Sequence, residues 1–222
     1  MLNLNPLFTG SHTTSGFHQK LLHAPEERTK LSEARKIIRD ALREGLPALI
    51  KKAYSNLTKI PVPKFHTQGS WAYETIIRPG RIPPQQADMD DGCYLPLSFL
   101  KGAERDIASK FFFEAVEAVL TPVARLHGWK INPGGPKSTC TRTEIDSTKH
   151  IDIPLYAIPD GEFEKLIEFF EKALREGKAD TLHAGSEWDL LPTDSLLLAH
   201  REEGWKRSDP RRIGNSGARC ST

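Results

Sequence analysis

At 222 residues with 38% hydrophobic content, the chain is long enough for one sizeable core, or for one domain plus part of a second, and its charged fraction of 27% is that of a globular protein. A net charge of +2 and a pI near 8.4 give no long-range pull toward nucleic acid or an anionic membrane, so neither is required as a partner. Cys93, Cys140 and Cys220 are odd in number, far apart and without a C-x-x-C pair, which argues against a disulfide framework or zinc knuckle and fits a reducing cytoplasm; no apolar run reaches the roughly 18 to 20 residues of a membrane span.

Residues 1–25 mix Asn, Thr, Ser, Gly and His without periodicity and read as a loosely ordered arm. From Glu26, Leu31, Ala34, Ile38, Ala41, Leu42 and Leu46 recur at helical spacing, predicting a long amphipathic helix that Pro47 either kinks or divides from a second one ending at Asn56. Pro61 and Pro63 break the chain, and residues 64–70 lead into a turn with Gly69-Ser70 as a helix start. After a Pro/Gly-rich loop, residues 87–97 read as a strand interrupted by acids. Ile107, Phe111, Ala115, Val119 and Val123 mark a second long helix ending near Gly128.

Residues 149–158 read as another strand with one acid inside it. Asp160 is the expected cap of a third helix carrying Phe163, Leu166, Ile167, Phe170 and Leu174 and closed by Gly177. Leu196-Leu197-Leu198-Ala199 is a last strand or a buried helical turn, since four residues do not fix a period. Beyond Ser208-Asp209-Pro210-Arg211 the tail, residues 212–222, has no apolar face and is expected to be disordered.

Three groups of residues point to chemistry. In an extended strand side chains alternate, so Asp88 and Asp90 share one face while Met89 and Asp91 take the other. Two adjacent carboxylates repel, and a hard divalent cation removes the penalty, although a bare D-x-D-D-G is more often a solvated acidic turn, here ending at Gly92. A calcium loop starting at Asp88 fits worse, because its sixth and twelfth places hold Cys93 and Phe99. Asp152 lies between Ile151 and Ile153, where an ionised side chain needs a metal or a hydrogen-bonding partner such as backbone or Arg. His150 two residues earlier would form an H-x-D metal pair or stand half-exposed without function. Gly69-Ser70 supplies a turn where backbone can approach phosphate oxygens closely and a helix N-terminus points at them, a pair that is common on its own.

The order and distance of these groups add what each lacks singly. Residues 66–73 (HTQGSWAY), 88–96 (DMDDGCYLP) and 150–159 (HIDIPLYAIP) together resemble the cGAS/DncV-like nucleotidyltransferases, whose pattern is G-S, D-x-D and a third D, and residues 205–211 resemble that family's passage into its helical lobe. The resemblance implies an α/β fold of the polymerase-β type, a mixed sheet flanked by helices with a long N-terminal helix, with residues 26–211 as the catalytic domain. It implies that Asp88, Asp90 and Asp152 hold two Mg²⁺ ions, that Asp152 helps deprotonate an attacking 3′-hydroxyl, and that Gly69 and Ser70 steady the donor triphosphate. The substrates would be ATP and GTP or other NTPs, and the product a cyclic dinucleotide such as cyclic GMP-AMP, a second messenger of anti-phage defence acting with partner proteins of a defence operon.

The sequence departs from that pattern after Arg211, where the family's helical lobe is expected and eleven residues without apolar periodicity follow instead. A chain ending before that lobe would leave its nucleotide cleft open. The readings that stand beside a cyclic dinucleotide synthase are a weak or inactive nucleotide-binding fragment and a nucleotidyltransferase acting on another acceptor.

Overall fold

In the computed structural model residues 16–17, 21–55, 59–72, 75–81, 85–102, 105–175 and 196–208 are described. Helix α1 (Pro25–Ala53) begins with Pro25 in its first turn and with the Glu27 carboxylate accepting from the Ala24 N–H, which satisfies one of the donors that open a helix. It continues through Pro47 as one element and ends at Ala53, so the proline does not divide it into two helices. Its buried stripe, Leu31, Ala34, Ile38, Leu42, Leu46 and Ile50, runs past the proline on both sides, and this packing outweighs one missing backbone bond.

Strand β1 (Lys64–Gln68) leads directly into the single turn α2 (Gly69–Ala72), and β2 spans Ala87–Pro96. A 3₁₀ turn (Leu97–Gly102) precedes the second long helix, α3 (Arg105–His127), which Gly128 ends in the left-handed region at φ 70°. Strands β3 (Lys130–Ile131), β4 (Cys140–Asp146) and β5 (Lys149–Ile158) follow, then α4 (Asp160–Arg175), β6 (Leu197–His200) and β7 (Gly204–Arg207). The apolar quartet at 196–199 thus enters a strand. Asp160 opens α4, but its carboxylate accepts from the Ser98 N–H rather than capping its own helix. Leu166, Phe170, Leu174 and Gly177, the cysteine at 220 and the tail at 212–222 lie outside the described side chains or residues.

The strands form one mixed sheet in the order β1-β2-β5-β4-β3, with β6 pairing the far half of β5 and β7 pairing β6. The pair β2–β5 is parallel and all other neighbours are antiparallel. The crossover between β2 and β5 runs through α3, which packs with α1 under one face of the sheet. Gly45 permits that packing, because a Cβ there would lie 2.8 Å from a Val119 methyl. The opposite face is divided: Tyr94, Tyr156 and Ile158 are covered by Phe163 of α4 with Leu196, while the other end stays open. This is the α/β arrangement expected from the sequence, a mixed sheet flanked by helices with a long N-terminal helix. Among the described residues no helix is long and apolar enough to cross a membrane.

Candidate active site

The two-residue period of β2 sorts its three acids and its apolar residues between two environments. Ala87, Met89, Asp91, Cys93 and Leu95 point toward the helices and are almost fully buried. Asp88 and Asp90 point to the open face, Asp88 exposed and Asp90 half-buried. Asp91 is therefore a core residue: its carboxylate accepts from Arg39 Nε at 2.7 Å, from Arg39 Nη2, and from the Thr67 hydroxyl at 3.0 Å. Both oxygens are satisfied, as a charge at 1% exposure requires.

Register across the parallel β2–β5 pair sets Asp88 beside His150 and Asp90 beside Asp152. Both β5 residues lie on the same open face, since they too are two apart. One ligand atom each from Asp88, His150 and Asp152 lies within 4.8 Å of the other two, a spacing that can hold a metal ion. Burial, and then the like charges of Asp88 and Asp152, push the Asp90 carboxyl up to about 7, with the Arg142 guanidinium pulling the other way. The three carboxylates thus form a cluster that is short of positive charge, which fits a divalent cation.

Arg142 provides part of that charge. From β4 it reaches Asp152 with two parallel bonds, Nε to Oδ1 and Nη2 to Oδ2, each 2.7 Å. Asp152 therefore has the arginine partner that an acid in an apolar strand needs, as well as the metal-competent neighbours, so both sequence readings of this residue meet in one place.

Gly69 follows Gln68, whose register partner is Asp90, and it turns the chain over the carboxylate. Its φ of 64° is left-handed, and a Cβ would sit 2.6 Å from Asp90 Oδ2, so glycine is required on two independent grounds. Ser70 is exposed beside it, and its backbone carbonyl accepts from the N–H groups of Thr75 and Ile76, closing the loop that follows. The turn is anchored from below by Trp71, buried and stacked under the Arg28 guanidinium at 5.3 Å. On the same face Gln68 joins the stacked pair Tyr94–Tyr156, donating to the Tyr94 hydroxyl and accepting from Tyr156 at 3.2 Å. All five residues expected to act together, Gly69, Ser70, Asp88, Asp90 and Asp152, lie at this open end of the sheet.

Residues 63–156 match the family described as "Cyclic GMP-AMP synthase DncV-like, nucleotidyltransferase domain". The chain belongs to the DncV-like nucleotidyltransferases. It is 39% identical over 161 residues to the cyclic GMP-AMP synthase of Vibrio cholerae and 33% identical over 168 residues to one from Escherichia coli; each match covers 67% of this chain and 36% of the relative. The chain therefore spans about a third of the length of the curated relatives it matches. A mutant of the Vibrio cholerae di-nucleotide cyclase DncV superposes with a TM-score of 0.67 at 28% identity, covering 89% of this chain and 58% of that one. A second mutant of the same cyclase, solved in complex with ATP and GTP, gives a TM-score of 0.69 at 27% identity, with 96% and 62% covered.

Against this DncV-like framework, sequence reading missed Arg142, Gln86 and the strands β1 and β4 that present Gln68 and Arg142. The signal for β4 was present: Thr141, Thr143 and Ile145 alternate with Arg142, Glu144 and Asp146, and their burial alternates likewise.

Proposed function

We propose that this chain supplies the catalytic domain, residues 26–211, of a divalent-metal-dependent nucleotidyltransferase that joins ATP and GTP into a cyclic dinucleotide such as cyclic GMP-AMP, a second messenger of anti-phage defence. The observation that carries the reading is the in-register meeting of Asp90 and Asp152 on a parallel strand pair, with Asp88 and the Gly69 turn beside them. The cyclic GMP-AMP synthase relatives and the ATP and GTP complex of DncV favour these substrates over other acceptors.

Asp88, Asp90 and Asp152 would hold the metal, two Mg²⁺ ions in the fullest form of the proposal, and bound ions would supply Lewis-acid stabilisation of charge on the phosphates. The bare Cα of Gly69 leaves room for phosphate oxygens next to Asp90, where any side chain would fill the space. Asp152, clamped in orientation by Arg142, is positioned to take the proton of the acceptor 3′-hydroxyl as its oxygen attacks the α-phosphate and pyrophosphate departs. Repeating the step on the linear intermediate would close the ring.

The test is incubation of the chain with ATP, GTP and Mg²⁺, followed by phosphatase treatment and chromatography. A phosphatase-resistant product made by wild type and absent with Asp152→Ala is expected. Equal product from both would remove the assignment, a linear or acceptor-linked product would redirect it to another transferase reaction, and Mg²⁺-dependent NTP binding without pyrophosphate release would reduce it to binding.

A further inference from the structure

His150 is placed by a chain of contacts that puts a hydrogen on Nδ1 and turns Nε2 toward the acidic cluster. Gln86 Nε2 donates to Glu144 Oε2 at 3.1 Å and to the Ser147 carbonyl at 3.3 Å, both acceptors. The amide oxygen must therefore be the atom that faces the ring, and it lies 2.8 Å from His150 Nδ1. An amide oxygen only accepts, so Nδ1 bears the hydrogen. Nε2 is left at the opposite side of a ring that is 5% exposed, 2.9 Å from Asp88 Oδ1, yet buried without a hydrogen-bond partner. A contact this short between a buried ring nitrogen and a carboxylate oxygen needs positive charge between the two, which either a metal ion bound to both or a second ring proton supplies.

We propose that His150 is a metal ligand which, with Asp88 and Asp152, forms a mixed nitrogen–oxygen site that takes divalent transition-metal ions in preference to Mg²⁺. The three ligand atoms already lie within 4.8 Å of one another. Gln86, held by Glu144 and Ser147, is the outer partner that fixes the imidazole, the arrangement by which ligating histidines are commonly oriented. Imidazole nitrogen favours borderline first-row ions, whereas Mg²⁺ prefers oxygen and keeps much of its water. The inference rests on the metal-centre reading above and adds to it a ligand outside the three aspartates, and with that ligand a choice of ion.

Two measurements on the full chain test it. Pulsed electron paramagnetic resonance of the Mn²⁺-loaded wild type is expected to show ¹⁴N modulation from a directly bound imidazole, absent in His150→Gln. Calorimetry is expected to show Co²⁺ binding weakened about tenfold or more by His150→Gln, with Mg²⁺ binding changed by less than about twofold. Mn²⁺ that binds wild type without ¹⁴N modulation, and loses binding in Asp88→Asn, overturns the role of His150 while leaving the aspartate centre intact. Failure of wild type to bind Mn²⁺ or Co²⁺ at all overturns both. Because the ¹⁴N signal is read on wild type, a His150→Gln variant that does not fold leaves the test decisive.

Discussion

Arg142 and Asp152 meet side by side across the antiparallel β4–β5 pair, the guanidinium lying flat against the carboxylate with two bonds of equal length. The pair is largely buried, so deleting the arginine leaves Asp152 uncompensated beside Asp90. In EDTA, Arg142→Ala is expected to lower stability by roughly 2–3 kcal/mol, toward the lower end for a broken buried pair because the arginine is 20% exposed. Millimolar Mg²⁺ should restore more of the variant's stability than it adds to wild type, since a cation then serves the charge that Arg142 no longer does. Urea unfolding with and without Mg²⁺ measures both effects, and an unchanged midpoint in EDTA would show that the clamp contributes nothing.

The adjacent acids Asp90 and Asp91 should separate cleanly in experiment, because a one-residue step along a strand moves a side chain from the cleft to the core. Asp91→Ala strands the Arg39 guanidinium and is expected to cost about 3 kcal/mol or more of stability. Asp90→Asn is expected to keep or raise stability in the absence of metal, by removing one of three crowded charges, while weakening divalent binding. Paired calorimetry and denaturation of the two variants checks this. The same losses in both would mean that the acids do not belong to different faces.

Gly69→Ala carries two penalties in one methyl group. The left-handed backbone costs on the order of 1–3 kcal/mol for a residue with a Cβ, and the added carbon must displace the Asp90 carboxylate from 2.6 Å. Relieving that contact moves the carboxylate by up to about 1 Å, and in the proposed reaction a misplacement of about 1 Å corresponds to about a hundredfold in rate. Pyrophosphate release by the variant should fall by that order while Ser70→Ala falls less. Retained activity in Gly69→Ala would show that the turn does not determine where Asp90 stands.

How much of this was legible in the sequence depended on whether a residue's role is local. The alternation of Asp88, Met89, Asp90 and Asp91 is a property of one strand, and it gave the correct faces. The stripe of α1 and the stop at Gly128 are likewise local patterns. Arg142 was not found because its meaning lies in β4–β5 register, a non-local pairing between segments with no fixed spacing. The Nδ1–H of His150 was further out of reach, since it depends on Gln86, 64 residues away in sequence, and on two acceptors behind it. The short strand β1 has only Phe65 buried, too weak a pattern to distinguish it from the turn it was read as.

The raised Asp90 carboxyl gives the metal-free protein a pH dependence with a definite sign. Its ordinary value is 3.8 and in the fold it stands near 7, so between these the folded chain binds more protons than the unfolded one. The group's contribution to stability is present in full below about 3.8 and is lost as pH rises through about 7. In EDTA the urea midpoint of wild type should therefore fall from pH 5.5 to pH 8, and Asp90→Asn should remove that part of the fall. The difference between the two proteins, not the slope of either, is the quantity to read, because it isolates the one carboxyl that the substitution removes. Mg²⁺ competes with the proton for the same oxygens, so its stabilisation of wild type should be greater at pH 8 than at pH 5.5. Parallel slopes for wild type and Asp90→Asn, with a Mg²⁺ effect independent of pH, would place the Asp90 carboxyl in water instead of among the charges of Asp88 and Asp152.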